Sequence, residues 1–406
     1  MTYAWTIPLF YQTVGWQSSS IRPVDLSPTT EQQELVRLAR DFALNEIAPH
    51  VADYDREERF PAEIVRAAGA LGLAGGIVPT RYGGAGLDHV TYAMVIEEIA
   101  KTCHVVACAL SFPSGLVGNS IQRYGTEAQK EKYLAPLARG EIFAAAGVTE
   151  ARSGTDVADM DTTYTREGDS FVIRGAKMWI SFLDVASYFL TFAHDGVDDR
   201  GRKRVSAFIV ERDTPGLELR PLKNKYGFRP LSTGELVLNE VRVPLDALVG
   251  EEGRGMAVAL NAVENGRLGV AARSVGLAQA CVDVSAAYAK DRVVFRQPIG
   301  RFQMVQEMIA DMICGVEAAR LLTYRLAHLK DAGRSNRADA SIAKMYASDV
   351  AMDAATKAFQ IHGAYGVSDE YPLARYLRDA KVFQIVEGNN QLHRALIAEH
   401  ALGYRS

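Results

Sequence analysis

Apolar positions along the chain change their period twice. From about residue 29 to 140 they recur at helical spacing, with Leu35, Leu38, Ala39 and Phe42 on one face behind a Thr30/Gln33 capping pattern. Pro61 followed by 62–71 predicts a helix with proline in its first turn. An apolar helix follows Asp88, and Thr126 with Gln129 opens another. Between about 141 and 250 the pattern shortens to β-branched and aromatic runs, such as 171–173, 188–192, 205–210 and 236–238. Turn clusters at 167–170 and 198–201 separate them. After Gly253 and Gly255 helical spacing returns, with breaks at Pro298, 333–336 and 363–366. The stretches 256–289 and 302–332 exceed ordinary globular helices and predict long antiparallel bundle members. This order predicts an α+β multidomain chain. Its parts are an extension (1–28), an N-terminal α-helical domain (29–144), a central β domain (145–250) and a C-terminal helical bundle (251–406).

Composition narrows the function by exclusion. A formal net charge of -4 supplies no basic field for nucleic acid and no polybasic patch for a membrane. No run approaches eighteen consecutive apolar residues, so no membrane-spanning helix is expected. In the first 28 residues the first basic residue is Arg22, and Pro8 interrupts the short apolar stretch 7–10. The features of a secretory signal are missing, and the expected location is cytoplasmic, with 1–28 a flexible or partner-covering extension. Cys103, Cys108, Cys281 and Cys314 form no CxxC pair and lie near no histidine ligand pattern. They are read as reduced, buried side chains, and no metal site is expected.

Five segments carry candidate chemistry, each with a plainer reading beside it. Residues 147–156 form a strand end entering a loop with Thr149, Ser153, Gly154 and Thr155, where small residues admit a ligand to the backbone and hydroxyls add donors; an ordinary polar loop has the same composition. In 177–181, Trp179 is either core or a plate for a planar cofactor, with the Ser181 hydroxyl at its edge. Residues 292–303 are a polar break between long helices, where Arg292 either grips a pyrophosphate or caps a solvated turn. Residues 360–366 place Gly363 and Gly366 at a helix break beside His362, which lacks a positioned partner and is left unassigned. Last, Glu387 follows an apolar run and precedes Gly388, with Asn389 or Asn390 capping the final helix. Apolar surroundings raise such a carboxyl towards roughly 6–7, where a general base is poised; a surface turn is the alternative.

Taken in this order, the five segments resemble the acyl-CoA dehydrogenase family from about residue 29 to 404. Residues 147–156 and 360–379 look like its two signatures, 177–181 like its flavin contact, and 386–388 like the segment bearing its glutamate base. The resemblance implies an N-terminal helical domain, a central β-barrel-like domain and a C-terminal four-helix bundle, with FAD between the last two. It implies that Val148, Thr149, Thr155, Trp179 and Ser181 contact the flavin side. Arg292, Phe302, Gln303, Gln360, Gly363 and Ala364 would hold the pyrophosphate and adenosine across a subunit interface, with Asn389 and Gln391 also at the cofactor. An oligomer follows, by resemblance a tetramer. On the substrate side it implies Thr155, Glu264, Arg267 and Gly388.

The implied reaction is α,β-dehydrogenation of an acyl thioester. Glu387 takes the α-proton, hydride leaves the β-carbon for the flavin, and an electron-transfer flavoprotein is the expected acceptor. Some branches of the family carry the base next to the position of Arg267; here that residue is Gly266, and Glu264 ranks behind Glu387. Three departures stand out: Ala364 for a second glycine, Asp159 for a small residue, and Glu399 where many relatives place an arginine near CoA. An acid at 399 repels CoA phosphates, so an acyl group on a carrier protein stays open beside acyl-CoA. A flavin monooxygenase on the same fold is the other enzymatic reading, which the Glu387 and Gly388 pair disfavours. A non-catalytic relative is disfavoured by the intact flavin motifs. Phe112 either limits pocket depth, giving a short or branched acyl group, or packs away.

Overall fold

The computed structural model describes residues 27–334 and 336–404, so nearly all of the predicted extension lies outside the described residues. Helices α1 (Thr30–Phe42), α2 (Val51–Glu57), α3 (Ala62–Ala70), α4 (His89–Thr102), α5 (His104–Ser111) and α6 (Leu116–Tyr124) build the N-terminal layer, followed by the short α7 (Glu127–Gln129) and α8 (Ala135–Ala138). Local chemistry starts several of them. Asp88 accepts the Thr91 N–H and opens α4, and Thr126 with Gln129 forms a capping box. The box at α1 is one residue earlier than predicted: Thr29 accepts from Gln32 N, and the Gln32 side chain accepts the Thr29 N–H. Tandem threonines and glutamines offer the pattern in two registers, and the extended backbone of Thr29 selects one. Pro61 is the residue preceding α3 rather than a member of its first turn.

The stretch His104–Tyr124 is long and apolar enough by composition to cross a membrane, with a mean hydropathy of 1.2. It is 83% buried inside this fold and breaks between α5 and α6, so it serves as core.

Strands β1 (Phe143–Gly147), β2 (Thr163–Glu167), β3 (Ser170–Ser181), β4 (Ala186–Val197), β5 (Lys203–Glu211), β6 (Leu217–Leu222), β7 (Thr233–Pro244) and β8 (Leu248–Val249) form one mixed sheet. Its order is β6-β7-β3-β2-β4-β5-β8, with β1 joined in parallel to β4. Two apolar clusters pack against the sheet, one with Tyr164, Phe171, Phe208 and Val241 and another with Ile180, Phe189 and Leu236.

The bundle consists of α9 (Gly255–Asp291), α10 (Gln303–Asp331) and α11 (Arg337–His362), then the short α12 (Ala364–Val367), α13 (Leu373–Phe383) and α14 (Asn390–Ala401). Its fourth side is covered by α13 and α14, and the gap between them carries Glu387. Helix α9 is the shared axis, packed against α10 and α11 on one flank and against α4, α5 and α6 on the other. Three cysteines are buried as expected, but Cys314 on α10 is exposed.

Candidate active site

The site is organised by a contact that no local pattern encodes. Gly266 on α9 lies against the side chain of Glu387: a methyl group added there would sit 2.3 Å from Oε2 and 2.6 Å from Oε1. The carboxylate therefore occupies the space that glycine leaves. Glu387 has φ of 54°, a left-handed value uncommon for a residue with a side chain, and Gly388 follows at 93°. These two residues turn the chain sharply enough to aim the carboxylate inwards before α14 begins. Asn389 caps α14, its Oδ1 accepting the Leu392 N–H, which decides between the two asparagines.

Glu387 Oε2 is buried and has no hydrogen-bond partner among the described residues. Burial pushes the carboxyl up to about 7, against the opposing charges of Arg273, Arg267 and Lys344. The residue as a whole keeps some exposure, but the orphaned oxygen is the part that matters for acid–base chemistry. Lys344 on α11 fixes the turn: its buried Nζ donates to Gly388 O at 2.8 Å and to Asn390 Oδ1 at 3.0 Å. Asn390 is itself held by Ser348 and Asp349. Burial lowers Lys344 to about 7, and His393, also packed against Gly388, to about 3.

The β domain meets this turn through its first candidate loop. Asn389 Nδ2 lies 3.3 Å from Thr155 Oγ1, joining the loop to the turn that carries Glu387. The loop is anchored from beneath by Glu150, which accepts from Thr162 and pairs with the fully buried Lys177 at 2.7 Å. Trp179 is not core: it is 59% exposed, with φ of 63°, where the pairing of β3 with β7 slips between Lys177 and Ile180. A bulge re-aims a side chain. Here it holds a large aromatic face outside the sheet while Ile180 beside it is buried.

Arg292, Phe302, Gln303, Gln360, Gly363 and Ala364 gather elsewhere. Arg292 follows the end of α9, its guanidinium 5.6 Å from the Tyr365 ring, and Gln303, Gln360, Gly363 and Ala364 are exposed. Gly266 and Arg292 are 26 residues apart on one continuous helix, so roughly 39 Å of axis separates this group from Glu387. The two groups of residues thus lie far apart along α9 within one chain.

Arg267 acts electrostatically on Glu387, whereas Glu264 projects about 200° round the helix from Gly266 and pairs with Arg337 at 3.4 Å. Geometry leaves Glu387 as the stronger base candidate. Phe112 packs edge-on against Phe182 with ring centroids 4.7 Å apart. His362 is buried, stacked on Tyr288 and bonded to Ala358 O, a packing role. The sequence reading gave no role to Arg273, Lys344 or His104, nor to Lys177 and Asp379 inside the segments it singled out. The available signal was a lone charge inside an apolar or small-residue run, as at Arg273 and Lys344.

The residues present suit FAD. An aromatic face kept exposed on a bulge borders a hydroxyl-bearing loop, and a buried carboxyl oxygen on the turn that this loop touches has no partner among the described residues. The exposed Arg292 supplies a planar donor set for a pyrophosphate.

Three family models match in order: "Acyl-CoA dehydrogenase, N-terminal domain" over residues 29–141, the middle domain over 145–241 and the C-terminal domain over 253–402. A short-chain specific acyl-CoA dehydrogenase of Clostridium acetobutylicum is 41% identical over 372 residues, covering 91% of this chain and 97% of its own. The solved butyryl-CoA dehydrogenase of Megasphaera elsdenii superposes with a TM-score of 0.89 at 38% identity, covering 93% of this chain and all of that one (100%). A chain from a structure of the electron-transferring flavoprotein of Acidaminococcus fermentans gives 0.89 at 37% identity, covering 93% and 99%.

Proposed function

The chain belongs to the acyl-CoA dehydrogenase family of FAD-dependent oxidoreductases, and from that premise we propose that it dehydrogenates a short acyl-CoA thioester with Glu387 as the base. The observation that carries this reading is the carboxylate of Glu387, buried, unpartnered and held against Gly266. A thioester carbonyl acidifies its α-hydrogen, but too weakly for an ordinary solvated carboxylate. Burial makes Glu387 more basic, and the cations of Arg273, Arg267 and Lys344 keep part of it ionised near neutrality. Lys344 holds the Gly388 carbonyl, so the turn bearing the base is fixed before substrate arrives. Bound FAD would supply the hydride acceptor for the β-carbon. Val148, Thr149, Thr155, Trp179, Ser181, Asn389 and Gln391 would hold its flavin side; Arg292, Phe302, Gln303, Gln360, Gly363 and Ala364 would hold the remainder.

Supporting a short acyl group are the relatives named for short-chain and butyryl substrates. Supporting an electron-transferring flavoprotein as acceptor is the similar chain found with one. The distance along α9 supports an oligomer in which each FAD takes its flavin contacts from one subunit and its adenosine contacts from another, a tetramer by analogy with the family. Substitution Glu387→Gln tests the base. The variant should fold and stay yellow, while anaerobic reduction by butyryl-CoA slows by about 10²–10⁴-fold, the range for loss of a general base. Reduction at the wild-type rate would move the base elsewhere.

A further inference from the structure

Arg273 is a buried cation without a settled counterion. It stands seven residues beyond Gly266 on α9, within about 20° of the same face. Only 4% of the residue is exposed. Its Nε donates to Gly269 O at 3.2 Å, so the side chain folds back along the helix towards Gly266, and Nη1 is buried with no partner among the described residues. No described carboxylate lies within ion-pair distance of it. Its neighbours Tyr92, Cys108 and His104 supply no counterion: burial pushes Tyr92 and Cys108 up and His104 well down, so all three are neutral near pH 7. Asp379, facing His104 at 3.4 Å, is also pushed up by burial, to about 7. The Phe383 ring closes another side, 5.7 Å from the guanidinium. Of the charges acting on Glu387, Arg273 acts most strongly, but in the proposed reaction that carboxylate becomes neutral when it accepts the proton.

Burying a guanidinium without an anion is costly, and such charges are normally paired. We infer that Arg273 is a specificity residue at the far end of the acyl pocket, receiving a carboxylate carried by the substrate's acyl chain. The inference rests on Glu387 being the base, since that places the α-carbon beside Gly266. The guanidinium is drawn back to about the level of Gly269, three residues or roughly 4.5 Å further along α9. An extended chain advances ~1.2 Å per bond, so an anion three or four bonds past the α-carbon meets Nη1. That describes a five- or six-carbon dicarboxylyl thioester. The neutral Tyr92 hydroxyl reaches the same place: a methyl at Gly269 would lie 3.1 Å from it, so it can complete the acceptor's hydrogen bonds.

The test uses FAD-loaded Glu387→Gln enzyme, in which binding is read from the flavin spectrum without turnover. Glutaryl-CoA, its ω-methyl ester and pentanoyl-CoA are compared. Glutaryl-CoA should bind at least ~30-fold more tightly than its methyl ester, the loss expected for removing one partner of a buried charge pair. Arg273→Gln, added to this background, should collapse that ratio towards one. Equal affinities for the three thioesters would overturn the inference, as would an equal loss for all three in the double variant, since Arg273 would then act only on the site's general electrostatics. Flavin reduction by these ligands in Glu387→Gln would instead refute the base assignment, a separate outcome.

Discussion

Placing one methyl group at Gly266 separates catalysis from stability. An alanine side chain there would meet Glu387 Oε2 at 2.3 Å, whereas ordinary contact begins near 3.4 Å, so the carboxylate must withdraw by 1.1 Å (3.4 minus 2.3). The obstructed atoms are the free end of a flexible side chain, so the fold accommodates the change by rotating that end away. Alanine in a helix interior is also favoured over glycine by about 1 kcal/mol, which offsets local crowding. Displacing a catalytic group by about 1 Å costs on the order of 10²-fold in rate, equivalent to ~2.7 kcal/mol of barrier. Gly266→Ala should therefore retain FAD and its melting temperature while anaerobic flavin reduction by butyryl-CoA slows about 100-fold. Rapid-mixing absorbance at the flavin band reads the rate, and thermal unfolding reads the fold. Reduction at the wild-type rate in a stable variant would show that the working base does not rest against α9, and the site described above would be wrong.

Two other expectations follow from the same geometry. Because burial raises Glu387 to about 7, its basic form is scarce in acid, and the rate of flavin reduction should climb with pH and level off above about 7; a midpoint near 4.5 would contradict the burial argument. The same shift has the opposite sign for stability, since the folded state binds this proton more tightly, so this group's contribution falls as pH rises from 4.5 to about 7. Lys177→Met strands the Glu150 carboxylate beneath the loop that carries Thr155 and should lower unfolding stability by about 3–5 kcal/mol in a denaturant titration; a loss under about 1 kcal/mol would mean the pair is solvated.

Much of this protein is written in short-range patterns. The change from helical to alternating spacing near 141 and back near 253 marks the sheet between two helical layers, because each element must bury one face. Asp88 and Thr126 announce their helices since a cap depends on residues three apart. Glu387 was legible as a carboxyl emerging from an apolar run before a glycine, and the predicted rise towards 7 agrees with its burial. Trp179 shows where that legibility ends. By spacing alone a tryptophan in a strand reads as core, although the resemblance implied a flavin contact, and it is the slipped pairing of β3 with β7 that turns it outwards.

What the tertiary structure alone decided are pairings between distant positions. Gly266 and Glu387 are 121 residues apart, and nothing local to either states that one makes room for the other. Lys344 reaches Gly388, Lys177 reaches Glu150, and Asn389 reaches Thr155 across domain layers. Arg273 looks like one more charge on a long helix until packing removes its solvent and leaves Nη1 alone. Periodicity reports which face of an element is buried; it does not report what that face meets. The chemistry here depends on desolvation and on charges placed by separate helices, quantities that exist only once the chain has closed around them.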